Sequence, residues 1–272
     1  PSEQEQIDVY SQVFRAYAEK PVYMRTLDIG GDKQLPYFPI TNEDNPALGW
    51  RGIRFTLDNI QLLMTQVRAM LRAAGNEGDL HILLPLISST EELVTFNQLL
   101  DEALKQLAQE GIHARRPKVG VMIEVPAAIS QLAFWSSRID FVSIGSNDLT
   151  QYLLALDRNN SRVASRYDHL HPAVIHELNR VVNIARDCKL ALSLCGEMAS
   201  DPMAVILLVG MGINTLSMSA TKLGRIKYLI RALPHSLSQE ILQQCLQLDD
   251  VTAIRSLLNS TLLHLNLHEL VK

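Results

Sequence analysis

Short apolar runs alternate with segments of helical period along the whole chain, and no linker, composition break or repeated block interrupts the alternation. That pattern constrains the fold more than anything else in the sequence. Strand-like runs fall at residues 22–27, 80–87, 119–123, 139–145, 190–194 and 213–216, with a shorter strand-like piece at 49–54. Between them, residues 3–19 carry Ile7, Tyr10, Val13, Phe14 and Tyr17 at helical spacing, and residues 58–73 place Ile60, Leu63, Met64, Val67, Met70 and Leu71 on one face before Gly75. Ser89 and Glu92 form a capping box for a helix running to about residue 109, and Pro126 and Pro172 open two more helices. Residues 34–48 and 157–171 read as long loops, and loops as long as the first are often functional; the sequence leaves open whether residues 30–48 close over substrate. Strands alternating with helices in this way predict parallel β/α units in a single domain over residues 1–272. A (β/α)8 TIM-type barrel is the α/β architecture that suits the length, although an eighth strand has no clear place.

Composition narrows the function classes. With 47% hydrophobic and 20% charged residues the chain can bury a sizeable core. Its formal net charge of −4 provides no electrostatic footprint for nucleic acid or a membrane surface. Neither a bilayer-spanning apolar run nor a signal peptide is present, so a cytoplasmic location is the default expectation. Cys188, Cys195 and Cys245 lack paired metal-ligand spacing and cannot all pair with one another. The chain begins at Pro1 without an initiator Met, which suggests a piece of something longer.

Polar or reactive groups stand at the carboxyl ends of the strand-like runs, where a barrel would collect them at one mouth. In order they are Arg25, Arg51, Glu124, Asn147 with Asp148, Cys195 with Glu197, and Ser217 with Ser219. Arg25 lies inside an apolar run, where a charge is costly unless it meets a carboxylate, a phosphate or solvent. Glu124 and Asp148 could form a two-carboxylate site for Mg2+ or Mn2+, or belong to an arginine–carboxylate lattice with no metal. Arg25, Arg51 and Arg158 offer planar forks for carboxylate or phosphate. Asn147 and Asp148 could equally cap the helix that follows. Cys195 could be a nucleophile, a proton donor or an inert thiol. His169 and His171 read as a polar loop pair.

Six stretches carry a family resemblance: MRTLDIGGDK (24–33), NPALGWRGIR (45–54), GVMIEVPAA (120–128), SIGSNDLTQYLLALDRNN (143–160), LCGEMASDP (194–202) and LGRIK (223–227). Together they resemble the C-terminal phosphoenolpyruvate-binding domain of enzyme I of the bacterial phosphotransferase system. LDRNNSRVAS and LHPAV are more like its nitrogen-related paralogue. The resemblance implies phosphoenolpyruvate ligands at Arg25, Arg51, Asn147 and Arg158, magnesium ligands at Glu124 and Asp148, and a proton donor at Cys195. It also implies a homodimer. Ser146 and Val125 stand where the family usually has Thr, and the second change loses a hydroxyl. None of the eight histidines lies in the family's phosphate-accepting motif. The acceptor is therefore expected on a separate N-terminal phosphohistidine domain, which would pass phosphate to a small phosphocarrier protein.

The expected function is metal-dependent binding of phosphoenolpyruvate and support of phosphoryl transfer to that histidine, with release of pyruvate. Two other readings compete with it. One is a different metal-dependent barrel enzyme acting on pyruvate or its enolate. The other is a non-catalytic module that senses phosphoenolpyruvate and dimerises.

Overall fold

A computed structural model of the protein describes residues 1–30 and 43–271. Gly31, Asp32 and Lys33, together with residues 34–42 of the expected loop, lie outside the described residues. In chain order the elements are α1 (Glu3–Ala16), β1 (Pro21–Arg25), α2 (Ile53–Asp58), α3 (Ile60–Ala74), β2 (Asp79–Leu84), α4 (Thr90–Gln109) and β3 (Lys118–Ile123). There follow α5 (Pro126–Trp135), β4 (Phe141–Gly145), α6 (Ser146–Leu154), α7 (Pro172–Asp187), β5 (Ala191–Cys195), α8 (Pro202–Met211) and β6 (Leu216–Ser217). The chain ends in α9 (Ala220–Ala232), α10 (His235–Cys245) and α11 (Val251–His264). The strand order is β1-β2-β3-β4-β5-β6, and the β1–β2, β2–β3 and β5–β6 pairs are parallel. This is the expected α/β class, with strands in chain order joined through helices as in barrels of the TIM type. Among the described residues there are six strands, short of the eight of a closed barrel.

The chain forms two compact units: Pro1–Met122 with Phe134–Phe141, and Ile123–Ala133 with Val142–Lys272. In the first, β1 runs beside β2 from Pro21↔Asp79 to Arg25↔Leu83, and β2 beside β3 from His81↔Lys118 to Leu84↔Val121. Strands β2 and β3 are buried along nearly their whole length, as parallel strands covered on both faces are. Helix α3 supplies Leu63, Met64, Val67, Met70 and Leu71 to this core, and α4 supplies Leu93, Phe96, Leu100, Ala103 and Leu107. The Ser89–Glu92 capping box forms as expected.

The strand-like piece at 49–54 is not a strand. Gly52 takes φ 58, in the left-handed region, and Ile53 already begins α2. Ile53, Phe55 and Thr56 are buried, and a six-residue helix is too short to display a helical period.

In the second unit, β5 pairs with β6 at Leu194↔Leu216 and Cys195↔Ser217. Ordered pairing covers only the end of the expected 213–216 run, because α8 closes at Gly212 (φ 89) and Ile213 is still bonded back to Leu208. Helix α8 buries Ala204, Val205, Ile206, Leu207 and Leu208 in succession, so it is enclosed on all sides, with α10 and α11 packed against it.

Candidate active site

In the first unit the loop after β1 brings Arg25, Asp28 and Arg51 together. Arg51 is buried at 1% exposure, and its NH2 lies 3.3 and 3.2 Å from the two oxygens of Asp28. Arg25 closes β1 with its side chain 42% exposed, 3.6 Å from the same carboxylate. With that exposure the charge at the end of β1 is met by solvent as well as by Asp28. The close approach depends on Gly30, at φ 106, where a Cβ would run into the Trp50 carbonyl and Arg51. The Gly52 N–H fixes the same juncture by donating to the Ile29 carbonyl at 3.2 Å.

The second unit holds Glu124, Asn147, Asp148, Arg158 and Cys195. Glu124 follows β3 at 2% exposure and packs against Gly145, where a Cβ would stand 2.6 Å from its Cγ and 2.8 Å from its Oε1. Gly145 is the N-cap of α6, so Ser146, Asn147 and Asp148 form the first helical turn. Neither Asn147 nor Asp148 is therefore the cap residue. Asp148, at 7% exposure, still lies where the helix dipole favours a negative charge.

Around Cys195 the backbone of β5 and the first turn of α6 interlock. Ser146 Oγ donates to the Cys195 carbonyl at 2.7 Å, and the Cys195 thiol contacts the Ile144 carbonyl at 3.4 Å. Gly196, at φ 102, leaves room for Ser146 Oγ and Asn147 Oδ1, both of which a Cβ would strike. The next residue, Glu197, donates its backbone N–H to Asn147 Oδ1 at 3.0 Å. With Oδ1 committed, what Asn147 has to offer a ligand is its NH2 group, a donor suited to an anion. Arg158 lies in the segment after α6, with its N–H donating to Gln151 Oε1 at 3.1 Å. His169 pairs with Asp201 at 2.6 Å, whereas His171 accepts from Ala173 N and caps α7. The two histidines thus have separate structural duties.

Among the described residues no cluster of three or more His, Cys, Asp or Glu side chains is grouped for a metal. Glu124 and Asp148 are instead two buried carboxylates, one seated on the residue that begins α6 and the other in its first turn. Carboxylate oxygens are the ligand type that Mg2+ and Mn2+ take.

Sequence reading missed Asp28, Ser146 as a bridge, and Tyr167. Asp28 stands three residues beyond Arg25 in the same motif, a spacing that could have suggested the pair. Tyr167 gave no local signal. Its hydroxyl donates to the Asn147 carbonyl at 3.1 Å across an intervening helix and loop.

A sequence family described as "PEP-utilising enzyme, PEP-binding domain" matches residues 1–234, which include every candidate site residue. The chain belongs to that family. A Salmonella typhimurium protein described as "Phosphoenolpyruvate-dependent phosphotransferase system" is 46% identical over 256 residues, covering 94% of this chain and 34% of that protein. An Escherichia coli K12 protein of the same description is 45% identical over the same length and the same shares. A "Phosphoenolpyruvate-protein phosphotransferase" of Buchnera aphidicola subsp. Schizaphis graminum is 40% identical over 260 residues, 95% of this chain and 45% of that protein. The chain spans about a third of the length of the first two relatives. The resemblance drawn from the six stretches of sequence is borne out at the level of family.

Proposed function

We propose that this chain binds phosphoenolpyruvate with a divalent cation and supports transfer of its phosphoryl group to a histidine on a separate N-terminal domain, releasing pyruvate. The observation that carries the reading is the interlock in the second unit, where Ser146 bonds to Cys195 and Asn147 to Glu197, with Asp148 in the same helical turn as Ser146 and Asn147. It aims an amide donor and holds a thiol at neighbouring strand ends. Arg25, Arg51, Asn147 and Arg158 are the proposed ligands for the substrate's carboxylate and phosphate. Glu124 and Asp148 would hold Mg2+ or Mn2+, which when bound neutralises charge on the substrate oxygens.

In the reaction a histidine nitrogen attacks phosphorus and the bond from phosphorus to the enol oxygen breaks. The arginine forks stabilise the charge passing to that oxygen. The enolate then takes a proton at its methylene carbon from the Cys195 thiol, giving pyruvate and a thiolate that solvent reprotonates. The longer parent would pass phosphate from the histidine to a small phosphocarrier protein. It would work as a homodimer in the cytoplasm, and LDRNNSRVAS and LHPAV favour the nitrogen-related branch of the family. Among the described residues no helix is long and apolar enough to cross a membrane.

The test is a calorimetric titration of phosphoenolpyruvate, with and without Mg2+, into the wild type and Arg51→Ala. Mg2+-dependent binding that the substitution abolishes is the expected result. Undiminished binding by Arg51→Ala would refute the proposed pocket, and binding of pyruvate without preference for the phosphate ester would favour an aldolase or lyase instead.

A further inference from the structure

Resting on the phosphoenolpyruvate reading above, we propose that Tyr167 is a positioning residue: its hydroxyl ties the segment carrying Arg158 to the first turn of α6, which carries Asn147 and Asp148. Residues 155–171 connect α6 to α7. At its start the segment is fixed by two bonds to Gln151, from Leu156 N to the carbonyl and from Arg158 N to Oε1. At its end Asp168 accepts both Nε and NH2 of Arg255 from α11 at 2.9 Å, and His169 meets Asp201 at the N-cap of α8. Between these anchors the Tyr167 hydroxyl reaches back to the Asn147 carbonyl at 3.1 Å.

The phenol also shares its surroundings with the proposed ligands. Burial is the main influence pushing its ionisation up, and the Glu197 and Asp148 carboxylates act with burial. The Thr150 hydroxyl and the Arg158 guanidinium act against it. The group therefore stays a protonated donor at neutral pH, close enough to Arg158, Glu197 and Asp148 to feel all three charges. Asn147 is then held twice: its carbonyl takes the Tyr167 hydroxyl, and its Oδ1 takes the Glu197 N–H. One bond sets where the residue sits and the other sets which way its amide faces. Loss of the first would loosen Arg158 and Asn147 together, which distinguishes Tyr167 from a residue that only fills space.

The experiment compares the wild type, Tyr167→Phe, and a protein with fluorotyrosine at 167, by phosphoenolpyruvate titration with Mg2+ at neutral pH and by amide hydrogen exchange without ligand. Phenylalanine keeps the ring and removes the donor. It should weaken phosphoenolpyruvate binding roughly 3- to 10-fold, the size of one hydrogen bond. It should also speed exchange at residues 156–167 while α7 and α8 keep wild-type protection. Fluorotyrosine, which keeps the hydroxyl donor, should restore both binding and exchange protection, a rescue tied to the hydroxyl and not to the filling of space. Wild-type affinity or wild-type exchange in Tyr167→Phe overturns the proposal. If the wild type itself fails to bind phosphoenolpyruvate, the function proposed above falls, while the exchange comparison still decides whether the hydroxyl holds the segment.

Discussion

Replacing Asp28 by Asn changes the charge of the most buried ion pair in the first unit while keeping the shape of the side chain. The Asp28 side chain is fully buried and that of Arg51 is 2% exposed, with the two 3.2 Å apart, so solvent screens the pair little. Breaking such a pair from one side costs about 3–5 kcal/mol. Asn retains one acceptor oxygen, which places the expected loss near the lower end, about 3 kcal/mol. For a chain of this size that corresponds to a fall in melting temperature of roughly 6–12 °C. The assay is thermal and urea unfolding at neutral pH, and Arg25 supplies the internal contrast. Its side chain is 42% exposed and 3.6 Å from the same carboxylate, so Arg25→Gln should cost under about 1 kcal/mol. Removing both charges with apolar residues, Asp28→Leu with Arg51→Met, should cost less than the sum of the two single changes, because neither charge is left facing the place of the other. An Asp28→Asn protein within about 1 kcal/mol of the wild type would refute the argument that this buried pair is costly to break from one side.

Two further expectations concern groups away from the proposed site. Burial pushes the Cys245 thiol up to about 11, so in the folded protein at pH 8 a thiol reagent should modify Cys188 readily and leave Cys245 untouched until denaturant is added. Equal rates at the two would contradict the packing of α10. Burial also lowers the pKa of His81 below its ordinary value, with Lys118 assisting and Asp79 opposing. A folded value below the unfolded one means that the neutral ring is the stabilising form. Its contribution is complete above about pH 6.5 and is lost as pH falls through the folded value. The urea midpoint should therefore decline on acidification below pH 6.5 more steeply in the wild type than in His81→Gln, and parallel slopes would refute this.

Much of the fold was legible because apolar run length and helical period are local properties. The six runs that became strands, the capping box at Ser89 and Glu92, and the helix opened by Pro172 all follow from neighbouring residues. The piece at 49–54 misled because α2 is shorter than two full turns, so its buried positions imitate a strand until the left-handed backbone at Gly52 is known. The start of β6 was misplaced for a related reason, since the turn at Gly212 closes α8 before extended pairing can begin.

The proposed site divides in the same way. The sequence by itself determined the residue types at the strand ends, and with them the chemistry available: arginine forks, two carboxylates, an amide and a thiol. The alternation of strand and helix puts Arg25, Glu124, Asn147, Asp148 and Cys195 at or next to strand ends, whereas Arg51 precedes α2 and Arg158 follows α6. Only the tertiary structure decided which groups meet. Asp28 joins Arg25 to Arg51 because Gly30 permits two backbones to approach, and Ser146 reaches the Cys195 carbonyl because Gly196 has no side chain. Tyr167 reaches Asn147 because the segment after α6 is anchored by Arg255 and Asp201, both distant in sequence. Such contacts join residues whose separation along the chain leaves no periodic trace, so only the folded path of the backbone brings them within bonding distance.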